Sequence, residues 1–241
     1  MSNVKTIVIT GASQGIGADT VELFLNQGYQ VVANSRHISE SGHFKPSDRL
    51  KLIDGDIGQP ETAKRIIDLA ISEFGNIDAL VNNAGIFFTK PFIEYTADDF
   101  KRLLSTNVAG FIYVTQLAIK QMLKQGGGGS IVTVTASLVD NPIAGMNASL
   151  PMITKGGLDS VTRSLAMEYA KDSIRFNTVA PGTVDTPLHK NTPNDFLRTL
   201  SPMGILSEAS EIAEAIFFLT ESKTITGETL HVDGGAHLGK W

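Results

Sequence analysis

The residues with the plainest chemical signature open the chain. Thr10-Gly11-Ala12-Ser13-Gln14-Gly15-Ile16-Gly17 follows the β-branched run Val4–Thr10 and leads into a helical pattern over Gly15–Gln27. Glycines so placed allow a tight turn and close backbone approach, and the helix start offers free N–H groups and a positive dipole end to a pyrophosphate. Glycine also serves plain turns; the strand–turn–helix context favours a dinucleotide cradle built from Gly11, Ser13, Gln14, Gly15, Ile16 and Gly17. Ser35 and Arg36 follow the second β-branched run, where the adenosine ribose lies in such a cradle. NAD sites commonly place a carboxylate there. Here a guanidinium stands instead, suited to fork a 2′-phosphate, with a solvated turn arginine as the alternative. Asp56-Ile57 after the third run serves either as an acceptor for the adenine amino group or as an ordinary turn. These residues together predict NADP(H) in preference to NAD(H).

The elements that must hold such a cradle are written in two alternating periodicities. Short apolar runs at Val4–Thr10, Gln30–Asn34, Leu50–Asp54, Ala79–Asn82, Ser130–Thr135, Ile174–Ala180 and Glu228–Val232 suit strands buried on both faces of a parallel sheet. Between them, Gly15–Gln27, Pro60–Phe74, Ala97–Lys124, Met152–Lys171 and Ser207–Thr220 repeat apolar residues at helical spacing. The alternation predicts an α/β fold: a doubly wound, seven-stranded parallel sheet with helices on both faces, one Rossmann domain over residues 1–241. Gly126–Gly129 reads as a flexible loop. The polar, proline-containing segment 183–206 reads as a substrate lid. His189 lies on it, either as a proton-transfer group or as a solvent-exposed bystander.

Composition removes several function classes. The chain has 241 residues, 42% of them apolar and 19% charged, which suits a globular core and not disorder. With no cysteine, thiolate nucleophiles, disulfides, cysteine-bound zinc and iron–sulfur clusters are excluded, and no metal is expected. A net charge of −5 gives no footprint for nucleic acid or an anionic membrane surface. The uncharged stretch Leu103–Ile119 is short for a bilayer and carries polar groups. The absence of a signal-like segment ahead of Gly11 reads as cytoplasmic.

With the glycine turn stand Asn82-Asn83-Ala84-Gly85 ending the fourth strand, Asn107 in the long helical pattern, Pro181-Gly182 after the sixth strand, and Thr229–Gly234. In this set the sequence resembles the short-chain dehydrogenase/reductase family over essentially its whole length. The resemblance implies that Asn83, Ala84 and Gly85 border the adenosine side. It implies that Asn107 holds a helix kink and a water feeding a proton relay. Pro181, Gly182 and the segment Thr183–Thr186, with Val184 and Thr186, would meet the nicotinamide. Lys155, followed by Gly156-Gly157, matches the family lysine that holds the nicotinamide ribose. Arg at the position of Arg36 goes with NADP use in that family.

The catalytic stretch departs from the family. A tyrosine is expected four residues before Lys155, and Pro151 stands there; a variant with tyrosine seven before the lysine meets Ala148 instead. Ser137 is the candidate for the family serine, 18 residues before Lys155 where 17 is usual, which predicts a one-residue bulge. Proline offers no side-chain proton and suits the first turn of a helix. Ser137, Asp140, His189, Lys155 and the Asn107 relay remain as sources of acid–base help. Three readings follow: an NADP-dependent reductase or dehydrogenase of a small carbonyl or alcohol with a divergent site; a non-catalytic NADP(H)-binding sensor or scaffold; and a non-redox lyase or isomerase. Apolar residues such as Phe111, Val114, Ala118 and Met122 on the 97–124 helix, together with the 152–171 helix, predict an interface, with a thick core covered by other elements as the alternative, and the resemblance implies a homodimer or homotetramer.

Overall fold

The computed structural model describes residues 4–189 and 192–239. Seven strands, β1 (Thr6–Thr10), β2 (Gln30–Ser35), β3 (Leu50–Asp54), β4 (Ala79–Asn82), β5 (Gly129–Val134), β6 (Ile174–Pro181) and β7 (Thr229–Val232), form one sheet in the order β3-β2-β1-β4-β5-β6-β7. Every pairing is parallel, with Val8 opposite Val32 and Leu80, and Val132 opposite Asn177. The order turns back between β1 and β4, the point at which open α/β sheets place their ligands beyond the strand C-termini.

The sheet is buried on both faces because its strands are apolar on both. Ile7, Ile9, Val31, Val81, Val132 and Val179 pack with Val21 and Phe24 of α1 (Gly15–Asn26) and with Ile212 and Ile216 of α7 (Ala209–Glu221). Val8, Val32, Leu80, Ile131 and Phe176 pack on the other side with α2 (Pro60–Phe74), α4 (Gly110–Gln125) and α5 (Ser149–Glu168). The seven-stranded, doubly wound architecture expected from the alternation is the one observed. No helix among the described residues is long and apolar enough to cross a membrane.

Three expectations need correction. The helix expected over 97–124 is broken: α3 (Ala97–Leu103) passes through a π-helical stretch, Leu104–Ala109, before α4 begins. The wide turn sits where Asn107 spends its side chain on other segments, and an inserted partner of this kind is a recognised cause of local widening. The helix expected over Met152–Lys171 starts three residues earlier and ends at Glu168, so Pro151 is its third residue, where its missing N–H leaves no intrahelical bond unmade. Phe111, Val114, Ala118 and Met122 do not face outward; they are buried, the last three against the sheet. Residues at spacings of three and four lie on one helix face, and here that face is the core side. The outward apolar residues of these helices are Ile112 and Leu123 on α4 and Ile153 and Met167 on α5.

The segment 183–206 is more structured than a polar loop. It holds a 3-10 turn at Pro187–His189 and α6 (Asn194–Arg198), and Leu197, Leu200 and Leu206 form a small core with Ile143 and Met146.

Candidate active site

The cradle is built by contact as well as by freedom of rotation. Gly11 has a φ of +67°, and a Cβ on Gly17 would lie 2.2 Å from the Gly11 carbonyl oxygen, so only glycine lets α1 start this close to the turn. Asn83 locks the turn from the next strand: its Nδ2 donates to the carbonyls of Thr10 (3.0 Å) and Gly11 (2.9 Å). The Asn83 and Ala84 amides in turn donate to Thr10 Oγ1. The Gln14 side chain makes no cap bond to α1, so its first N–H groups are left to an anion. Ser13 is half-buried, Gln14 exposed and Ile16 half-buried against the core. Thr186 closes one side, its methyl 3.1 Å from where a Cβ on Gly15 would be.

At the end of β2, Ser35 is half-buried and Arg36 is exposed. Asn34 was not anticipated. Its Nδ2 donates to the carbonyls of Ile53 and Gly55, and its Oδ1 is buried without a partner. Such an open buried acceptor is uncommon in folded proteins, and it sits beside the Ser35–Arg36 turn. A polar residue ending an otherwise apolar strand was the available signal. Asp56 divides its two expected roles: Oδ1 accepts the Gly58 amide at 2.9 Å in a turn, and the residue is exposed. Ile57 and Val184 are buried, and Ile57 lines a small cavity with Thr10, Asn82, Ala84 and Asn107.

Asn107 and Lys155 meet at Gly85. A Cβ there would lie 3.2 Å from Lys155 Nζ and 3.5 Å from Asn107 Oδ1, so the glycine keeps this floor open. Asn107 accepts the Ile86 amide at Oδ1 (2.8 Å) and donates from Nδ2 to the Ile86 carbonyl and to Thr154 Oγ1, each 3.0 Å. Thr154 Oγ1 itself donates to the Pro151 carbonyl at 2.7 Å. Asn107 thus ties three segments together: the one after β4, the π-helical stretch and the N-terminal part of α5. Lys155 is buried and donates to the Val134 carbonyl at 2.7 Å. Burial without a carboxylate pushes its ammonium down to about 8.

Ser137 is buried at the start of a 3-10 turn, Ser137–Val139, that follows β5. Pro151 is buried one helical turn before Lys155. Asp140 Oδ2 lies 2.6 Å from His231 Nε2. The His189 side chain lies outside the described residues. Pro181 ends β6, and the Gly182 amide donates to the Val232 carbonyl at 3.0 Å.

The family model described as enoyl-(acyl carrier protein) reductase matches residues 11–237. The chain is 34% identical to a glucose 1-dehydrogenase of Gluconobacter oxydans, covering 97% of this chain and 92% of that protein. It is 31% identical to an L-rhamnose 1-dehydrogenase (NAD(P)(+)) of a Sphingomonas strain, covering 97% and 96%. Among solved structures, ElxO with NADP bound superposes with a TM-score of 0.89 at 29% identity, covering 97% of this chain and 98% of that one. A glycine turn at the head of a parallel sheet is common to many nucleotide folds, but here the match runs through the Asn107 stretch and the end of β6 to the C-terminal segment. The chain belongs to the short-chain dehydrogenase/reductase family of NAD(P)-dependent oxidoreductases.

Proposed function

We propose that the protein is an NADP-dependent oxidoreductase acting on a small carbonyl or alcohol through a site that works without the family tyrosine. The observation that carries this reading is the meeting of Asn107 and Lys155 at the open Gly85 floor beside the glycine cradle. When bound, the nicotinamide cofactor supplies or accepts the hydride. The cradle N–H groups and Gly11–Gly17 would hold its pyrophosphate and Arg36 its 2′-phosphate, while Pro181, Gly182 and Thr186 would border its nicotinamide end. Lys155 would donate to the ribose hydroxyls, which needs only an ammonium at this height on α5. Ser137 would orient the substrate oxygen. Since Pro151 has no proton to give, Lys155, with its depressed ammonium, is the group that moves the proton. Segment 183–206 would close over substrate as a lid within a single domain.

The buried pyrrolidine of Pro151 favours the second reading, a protein that binds NADP(H) without hydride chemistry. Calorimetric titration with NADPH and NADH, followed by NADPH oxidation over a carbonyl panel, separates them. Binding with oxidation of at least one carbonyl is expected; binding with none overturns the oxidoreductase reading. In the same titration Arg36→Ala should lose most of the NADPH preference, because a charge-assisted contact is worth about 1.5–3 kcal/mol. Equal affinity of the unaltered protein for NADPH and NADH would refute the role given to Arg36.

A further inference from the structure

Behind the serine turn lies a cluster that the resemblance does not assign. Along β7, Leu230 and Val232 face the α1 and α7 side, and Thr229 bonds Asp159 of α5 at 2.7 Å. Alternation therefore puts His231 on the α5 face, with Thr229. Its Nε2 lies 2.6 Å from Asp140 Oδ2, and its ring stacks on His237 with centroids 3.9 Å apart and planes 20° apart. His237 Nδ1 is 3.0 Å from Asp233 Oδ2, and the buried Asp233 carboxylate also accepts the amides of Gly235 (2.9 Å) and His237 (2.7 Å). Asn141 Nδ2 donates to the His237 carbonyl. Each ring nitrogen that meets a carboxyl oxygen is in place to donate to it, Nε2 in His231 and Nδ1 in His237.

The two ends of this chain of contacts reach the Pro181-Gly182 turn and the turn that carries Ser137. At one end, a Cβ on Gly182 would lie 2.8 Å from Asp233 Cα, directly behind the Pro181-Gly182 turn. At the other, the Asp140 amide donates to the Ser137 carbonyl at 3.1 Å. We infer that His231 is a positioning residue: stacked on the anchored His237, it holds Asp140 and thereby sets where the turn carrying Ser137 stands relative to the Pro181-Gly182 end. Asp140 is exposed, and its bond to His231 and the neighbouring Asn141–His237 bond tie the turn to the sheet edge, whereas Ile143 and Met146 farther along the loop pack on Leu197, Leu200 and Leu206 instead. Positioning of this kind acts on catalysis by holding the reacting geometry, without touching substrate. The inference rests on the oxidoreductase reading only for what Ser137 then does.

The test uses the full chain with NADPH and three variants. His231→Phe keeps a ring over His237 and removes the donor; His231→Gln restores a donor of similar reach; Asp140→Ala removes the acceptor from the loop and guards against a strand variant that fails to fold. Amide exchange at Asp140 and Asn141 should rise about tenfold in His231→Phe and Asp140→Ala, the size of one charge-assisted hydrogen bond at its low end, and return to within about threefold of the parent in His231→Gln. NADPH affinity should stay within about twofold, and kcat on the best carbonyl should fall about tenfold with little change in KM. Unchanged exchange in both loss variants, or His231→Gln behaving like His231→Phe, would overturn the inference. Exchange needs no turnover, so a parent protein that oxidises no NADPH counts against the oxidoreductase reading while the exchange pattern still decides the role of His231.

Discussion

Lys155 concentrates the consequences at the level of single residues. Its ammonium is pushed down to about 8 from an ordinary 10.5. The folded protein therefore binds fewer protons than the unfolded chain between those two values, and stability rises with pH across that window. Below it the full cost of burying the charge is present, about 3 kcal/mol for a shift of this size. Lys155→Met should accordingly stabilise the cofactor-free protein at pH 7 by about 2 kcal/mol, after about 1 kcal/mol for the lost bond to Val134. It should also flatten the difference between pH 8 and 10.5, as read by urea unfolding at several pH values. A variant less stable than its parent at pH 7 would mean that the ammonium is compensated in the folded state. Pro151 makes the complementary case. A tyrosine there shares a helix face with Lys155, yet the position is buried and its carbonyl already engages Thr154. Pro151→Tyr should fold, keep NADPH affinity within a few-fold, and gain less than about tenfold in carbonyl reduction, because acid catalysis needs hydrogen-bond reach. A gain of about a hundredfold, the scale of a general acid, would show that the site lacked only its phenol.

The decisive element is the interrupted helix between β4 and β5. Its π-helical stretch, Leu104–Ala109, puts Asn107 against the Ile86 backbone and Thr154, so one amide holds together the segment after β4 and the N-terminal part of α5. Truncation to alanine leaves the Ile86 amide and carbonyl without this partner, and an abandoned polar group typically costs about 1–3 kcal/mol. Asn107→Ala should therefore lose about 2–3 kcal/mol in urea unfolding and, with the floor at Gly85 loosened, most of its NADPH oxidation. Full retention of both would make the π-helical stretch incidental to the site.

At the scale of the whole molecule, α4 and α5 present a second apolar surface. Ile112 and Leu123 are 39% and 43% exposed, and Ile153 and Met167 are 54% and 82% exposed. At about 100° per residue each pair returns to nearly the same side of its helix, with exposed Gln116 between the two on α4 and exposed Ser160 and Ser164 between the two on α5. We propose that this face, with its four exposed large apolar side chains, meets a second copy. Light scattering at micromolar concentration should give at least twice the chain mass of 25.8 kDa, and Ile153→Glu should shift it toward that value. A parent protein already at 25.8 kDa would refute the assembly.

The parallel sheet, the glycine cradle and the family were legible in the sequence because each rests on local rules. A strand buried on both faces must be apolar throughout, as Ile7–Ile9 and Val31–Ala33 are. A helix that starts against a turn must have glycine where Gly17 meets Gly11. What the sequence left open depended on partners distant along the chain. The direction in which Phe111 and Val114 face is set by where the sheet lies. The break at Asn107 needs Ile86 and Thr154 beside it. The burial that depresses Lys155 comes from the strands and segments packed around it. Asp140 is a loop acid in the sequence, and it becomes half of a bond to His231 only because β7 closes the sheet edge 91 residues later. Periodicity reports which elements form; only their packing decides which side chains meet and which charges lose their water.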